Sequence, residues 1–180
     1  MERWVEKFIR MDDRTWDRHA NRWSVWTRFA VLPLLFLACW SHTWIGPWGA
    51  GAAISAMALW LWVNPRIFPA PRRRDGWHDH AVFGERVWLN RHKVPIPSHH
   101  AERAYALSAL AVLGFAIGVA GAVINHVWLM LIGAFLTYAG KIWFLDRMVW
   151  LYRDMKDRDP IYRSWMRMPD NDNRERKRAA

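Results

Sequence analysis

Residues 29–65 read FAVLPLLFLACWSHTWIGPWGAGAAISAMALWLWVNP and residues 104–140 read AYALSALAVLGFAIGVAGAVINHVWLMLIGAFLTYAG, two runs of 37 residues without an Asp, Glu, Lys or Arg. Each run exceeds the roughly 18 residues that mark a membrane-spanning helix. As one helix, such a run would be about 56 Å long at about 1.5 Å per residue, against a hydrocarbon core of about 30 Å. Each is therefore expected to double back as a hairpin. Breakers stand at the middle of both: Gly46, Pro47 and Gly49 in the first, and Gly121 with Asn125 and His126 in the second.

Charge gives the hairpins a direction. Of the 26 basic residues, seven lie up to Arg28, eight from Arg66 to Arg103 and eleven from Lys141 onward, so neither hairpin turn carries any. Basic residues accumulate on the cytoplasmic side of spanning helices. Both termini and the middle loop are accordingly assigned to the cytoplasm, and the protein to the inner (cytoplasmic) membrane as a multi-pass chain. Reading each run as one long pass would place the eight middle basic residues opposite the other eighteen. The mean hydropathy of −0.16 hides this pattern because it averages apolar spans with Arg-dense loops. The fifteen tryptophans fit the same picture. Trp23, Trp26, Trp40, Trp44, Trp48, Trp60, Trp62, Trp128, Trp143 and Trp150 fall near expected span ends, where an amphipathic indole sits at the membrane–water interface.

The expected fold is all-α: one membrane domain over residues 1–180, an integral membrane four-helix bundle of two transmembrane hairpins with interfacial amphipathic helices. Residues 1–22 form an interfacial helix, 26–64 the first hairpin, 65–103 a cytoplasmic basic loop, 104–150 the second hairpin and 151–180 a cytoplasmic tail, into which the fourth span continues as a polar helix through Asp157 and which is disordered after Pro169. Within the loop, Asp79 to Arg91 is expected to form a second interfacial helix presenting Val82, Phe83, Val87, Trp88 and Leu89 to the membrane surface. Gly114 and Gly118 make a GxxxG pair, suited to close helix packing within the bundle. Cys39, the single cysteine, excludes an intramolecular disulfide and reads as a small buried hydrophobe. No cleavable signal peptide is expected.

A formal charge of +10 raises the question of nucleic acid, but the basic residues border spans and no nucleic-acid-binding motif is present. The lipid bilayer and its anionic head groups are the expected partners, with a homo-oligomer or a further membrane partner open.

Candidate chemistry concentrates at the cytoplasmic side. His78, His80, His92, His99 and His100 fall within 23 residues, together with Asp79 and Glu85. Imidazole with carboxylate suits zinc or iron, and no motif calls for any other cofactor. On a helix, His78, Glu85 and His92 recur every seven residues and fall on one face. The repeated HxxxH and HxxHH boxes of membrane di-iron hydroxylases and desaturases are absent. Lys141 and Asp146 are ionisable groups at the cytoplasmic end of the fourth span. Lys141 either snorkels to the head groups or faces the interior. Asp146 is expected to pair with Lys141 or with an Arg of a neighbouring helix. His42 and His126 mark the two turns as solvated caps.

Several strings carry a resemblance: Arg18-His19-Ala20-Asn21 with Trp23-Ser24-Val25-Trp26-Thr27-Arg28, Asn64-Pro65-Arg66, Gly84-Glu85-Arg86-Val87-Trp88-Leu89, and Lys141-Ile142-Trp143-Phe144-Leu145-Asp146-Arg147-Met148-Val149-Trp150. With them the chain resembles an uncharacterised family, a domain of unknown function, of small bacterial and archaeal polytopic membrane proteins. The resemblance covers the chain to about Met155 and brings no activity with it. It does direct attention to His19, Asn21, Glu85, Lys141 and Asp146, which converge at the cytoplasmic mouth if the four helices form one bundle. The leading expectation is a non-enzymatic accessory or lipid-interacting module. A membrane enzyme with a cytoplasmic-face His/carboxylate site, and a small transporter or channel acting as an oligomer, are the alternatives. Whether the chain is an enzyme is left open by the residues themselves.

Overall fold

The protein is described by a computed structural model covering residues 16, 18–71, 74 and 76–166. Among the described residues six helices follow one another: α1 (Arg22–Trp40), α2 (His42–Ile67), α3 (Trp77–Leu89), α4 (Ser98–Val123), α5 (Val127–Met155) and α6 (Pro160–Ser164). Among the described residues there is no strand. The interfacial helix expected over residues 1–22 lies mostly outside the described residues, as does the tail after Pro169.

The first reversal comes where Gly46 adopts φ 71°, ψ 171°, a left-handed conformation that glycine enters without strain, and Pro47 opens the next helical stretch. In the second, Asn125 takes φ 58° and the His126 side chain caps α5 by accepting from Leu129 N–H at 3.2 Å. Asn21 caps α1 in the same way, accepting from Trp23 N–H at 2.9 Å. Both interruptions of helical geometry fall among the breakers named above: Gly46 with Pro47, and Asn125 with His126.

α4 and α5 pack antiparallel along a seam of small residues. A Cβ on Gly133 would collide with the backbone of Gly118 and Gly114, and one on Gly140 would meet Ala111 N at 2.8 Å. The GxxxG pair is thus consumed within the chain, where backbone approach substitutes for side-chain packing. Phe36 of α1 fills the remaining space over Gly118 and packs on Phe115 at 5.7 Å between ring centroids. Lower down, Tyr138 Oη donates to Phe29 O at 2.7 Å. These two levels make α1 and α4 run in the same direction, so the reversals at Gly46 and Asn125 lie at one end and the charged segments at the other.

α2 is held to α1 by buried polar groups. Ser24 Oγ donates to Asn64 Oδ1 at 2.7 Å, and Asn64 Nδ2 donates to Thr27 Oγ1 at 2.7 Å. Ser24 and Asn64 are fully buried, so each satisfies the other away from water.

Among the described residues three helices, α1, α4 and α5, are long and apolar enough to cross a membrane. α2 is also 26 residues long and has no charged residue before Arg66, but four tryptophans, three glycines and two prolines dilute its apolar content.

Below the spans, α3 lies against α5. Phe83 and Val87 join Ala104, Met148, Leu151, Tyr152, Met155 and Tyr162 in one buried cluster. Val82, Phe83 and Val87 of the apolar face expected at the membrane surface are therefore covered by protein, while Leu89 stays exposed. The reason is that a helical apolar stripe fits a lipid interface and a neighbouring helix equally well. The polar helix expected to continue the fourth span beyond Trp150 is the end of α5, which runs to Met155, and α6 folds back so that Tyr162 is fully buried and accepts from Asn90 Nδ2 at 3.0 Å.

Candidate functional site

Where α3 crosses α5, a Cβ on Gly84 would overlap the carbonyl of Met148. Without one, the helices touch, and the next residue, Glu85, is carried to α5. Lys141 lies seven residues before Met148, about two turns up the same helix face. Lys141 Nζ donates to Glu85 Oε1 at 3.1 Å. On the other side of the carboxylate, His19 Nε2 is 3.9 Å from Glu85 Oε2. His19 is held in turn by Arg28, whose Nη1 lies 2.7 Å from its Nδ1 and whose Nη2 donates to its carbonyl at 3.2 Å. Arg28 Nε donates back to Ser24 O at 3.0 Å, one turn earlier. A continuous polar chain thus runs Asn64, Ser24, Arg28, His19, Glu85, Lys141, and joins α2, α1, α3 and α5.

The charges in this chain are fixed by their surroundings. Burial pushes the Glu85 carboxyl up, but the Lys141 ammonium and the nearby His19 outweigh it and hold it at about 2. Burial lowers His19 below its ordinary value, and Arg28 adds to the effect while Glu85 opposes it. At neutral pH the site therefore holds a carboxylate, a neutral imidazole and two cations.

These groups border a cavity of about 450 Å³ between α1, α2, α3, α4 and α5. Arg28, His19, Glu85 and Lys141 line it together with Trp77 and His78, and Val25, Leu32, Leu61, Ala111 and Leu145 supply apolar lining. Thr137 and Tyr138 also border it, but their hydroxyl protons go to Gly133 O and Phe29 O, both at 2.7 Å. A second groove, with Trp16, Trp88 and Phe144, shares His19, Glu85 and Lys141 with the first, so the polar cluster stands between the two.

Of the five residues expected to converge, three do: His19, Glu85 and Lys141. Asn21 instead caps α1 and donates through Nδ2 to Pro69 O at 2.9 Å, which ties the loop after α2 to the start of α1. Asp146 is absent from the cavity lining. It lies five residues beyond Lys141, roughly 140° round the helix. Its side chain is 41 % exposed, with Arg147 Nη2 at 3.9 Å and Trp77 Nε1 donating at 3.5 Å. The pairing with Lys141 does not form, because Lys141 is engaged by Glu85. Arg28 was missed as a site member, and its signal was its place as the last charge before the first apolar run.

The five histidines do not gather. His78 approaches its neighbour Asp79 at 3.5 Å, His80 packs on Tyr152 at 5.5 Å, and His92 is exposed beyond α3. Only His99 and His100, with Asp154, which the sequence reading did not single out, place donor atoms within 4.8 Å of one another among the described residues.

A family model matches residues 1–168. The chain belongs to DUF6653, a family of unknown function. No curated protein and no solved structure matches it. Within this DUF6653 chain, the strings that carried the resemblance contribute every member of the polar chain from Asn64 to Lys141.

Proposed function

We propose that this DUF6653 protein is a non-enzymatic, four-span protein of the cytoplasmic membrane whose cavity binds the anionic head group of a lipid or a similar amphiphile. The observation that carries the reading is a cavity that sets Arg28, His19, Glu85 and Lys141 beside a largely apolar lining. With Glu85 ionised and His19 neutral, Arg28 and Lys141 leave this cluster with one net positive charge. Lys141 Nζ has donors beyond the one Glu85 accepts, and its side chain is about half exposed. A single anionic head fits that balance, and an acyl chain fits the Leu32 and Leu61 wall.

The basic residues bordering the spans support the same reading, since anionic head groups gather beside cytoplasmic Lys and Arg. The hydroxyls of Thr137 and Tyr138, engaged by backbone carbonyls, give little support to a polar path through the bundle.

Native mass spectrometry of the full chain released from mixed phosphatidylglycerol and phosphatidylcholine vesicles tests the proposal. The expected result is preferential retention of phosphatidylglycerol, reduced in Lys141→Gln. Equal retention of the two lipids, or a preference untouched by Lys141→Gln, would reject it.

A further inference from the structure

We propose that His99, His100 and Asp154 form a binding site for a divalent transition-metal ion, best suited to Zn2+, that clips the start of α4 to the end of α5. His99 and His100 are the second and third residues of α4, and Asp154 is the last but one of α5. Because the two helices are antiparallel, those ends meet. His100 is 4 % exposed, and its Nε2 lies 2.8 Å from Asp154 Oδ2. The His99 ring packs beside it at 4.2 Å between centroids. One donor atom from each residue falls within 4.8 Å of the other two.

Two imidazoles and a carboxylate are a borderline donor set of the kind zinc takes, with a fourth tetrahedral position left for water on the exposed side. The electrostatics agree. The amide dipoles at the start of α4 disfavour a cation, but the carbonyl end of α5 and the Asp154 charge favour one. None of the three residues lines the cavity, so the site stands apart from the lipid-binding reading. A plain hydrogen bond from His100 to Asp154 would account for that pair but would give His99 no part.

His99 is therefore the decisive residue, and being exposed it can be replaced without emptying the core. Titration of the tag-free, EDTA-stripped full chain with Zn2+ is expected to give one saturable site per chain. Loss of even an outer-shell partner costs roughly 10–100-fold in metal affinity, so His99→Ala and Asp154→Asn should each weaken binding at least about tenfold. His78→Ala and His92→Ala should leave it unchanged. Co2+ in place of Zn2+ should give d–d absorption that disappears in His99→Ala. Absence of saturable binding, binding unaltered by His99→Ala and Asp154→Asn, or binding abolished by His92→Ala would overturn the site.

Discussion

At the scale of single residues, Glu85 sets the terms for its neighbours. Its carboxyl is held at about 2 against an ordinary 4.5, so between those values the unfolded chain binds a proton that the folded one refuses. The stability this contributes is complete above about pH 4.5 and is lost as pH falls toward 2. His19, lowered from 6.5, has the same sign and extends the loss upward, beginning below pH 6.5. Melting temperature in detergent should therefore fall on acidification below about pH 6.5, and Glu85→Gln should flatten the lower part of the curve. A wild-type midpoint constant from pH 7 to pH 3 would contradict this. Asp146 stands in contrast: with a 41 % exposed side chain and Arg147 at 3.9 Å, Asp146→Ala should cost only about 0–1 kcal/mol by the same assay. Lys141 was legible in the sequence because an ionisable residue inside the end of an apolar span needs a partner, whereas His19 and Glu85 were singled out by the strings that carry the family resemblance. Arg28 carried a signal too, as the last charge before the first apolar run, while Asp154 carried none, because its role depends on which helix ends meet and no local pattern encodes that.

At the scale of elements, contact between helices is set by glycines whose absent side chains admit another backbone. Gly84 is the sharpest case, since a Cβ there would overlap the Met148 carbonyl and the clash is with backbone that cannot rotate away. Gly84→Ala should destabilise by about 1–3 kcal/mol in a reversible unfolding assay, the usual range for overpacking, and should separate Glu85 from Lys141. Gly51 is the control: nothing lies within 4 Å of its added Cβ, so Gly51→Ala should be neutral or stabilise by about 0.5–1 kcal/mol. Equal effects at both positions would dismiss the close crossing of α3 and α5. The reversals at Gly46 and Asn125 were readable because breakers act locally, through φ and capping. The covering of α3 by α5 was not, because amphipathic spacing specifies an apolar face and leaves its occupant open. The folding back of α6 was hidden for a related reason: Tyr162 sits among Arg and Asp residues, and one buried tyrosine makes no periodic signal.

At the scale of the molecule, the question is whether α2 crosses the membrane beside the three helices that are apolar enough to do so. A three-span chain would put the eight basic residues between Arg66 and Arg103 on the opposite side from the seven that precede them. It would also have to hold α2 out of the hydrocarbon while Asn64, near its end, accepts from Ser24, near the start of α1, at 2.7 Å. That hydrogen bond returns the end of α2 to the level at which α1 begins, so α2 runs the length of a helix able to span. Tryptophan lowers the apolar score of α2, but indoles at helix ends sit at the interface and need not oppose insertion. The expected topology has four spans with both termini cytoplasmic. Reporters fused after Trp44 and after Asn125 should read periplasmic, and those after Arg74 and after Arg167 cytoplasmic. The fusion after Arg74 decides between the two arrangements: four spans place it in the cytoplasm together with the start of the chain, whereas failure of α2 to cross places it in the periplasm. A periplasmic reading there would move Glu85 away from the cytoplasmic face and remove the charge argument on which head-group binding at Lys141 rests.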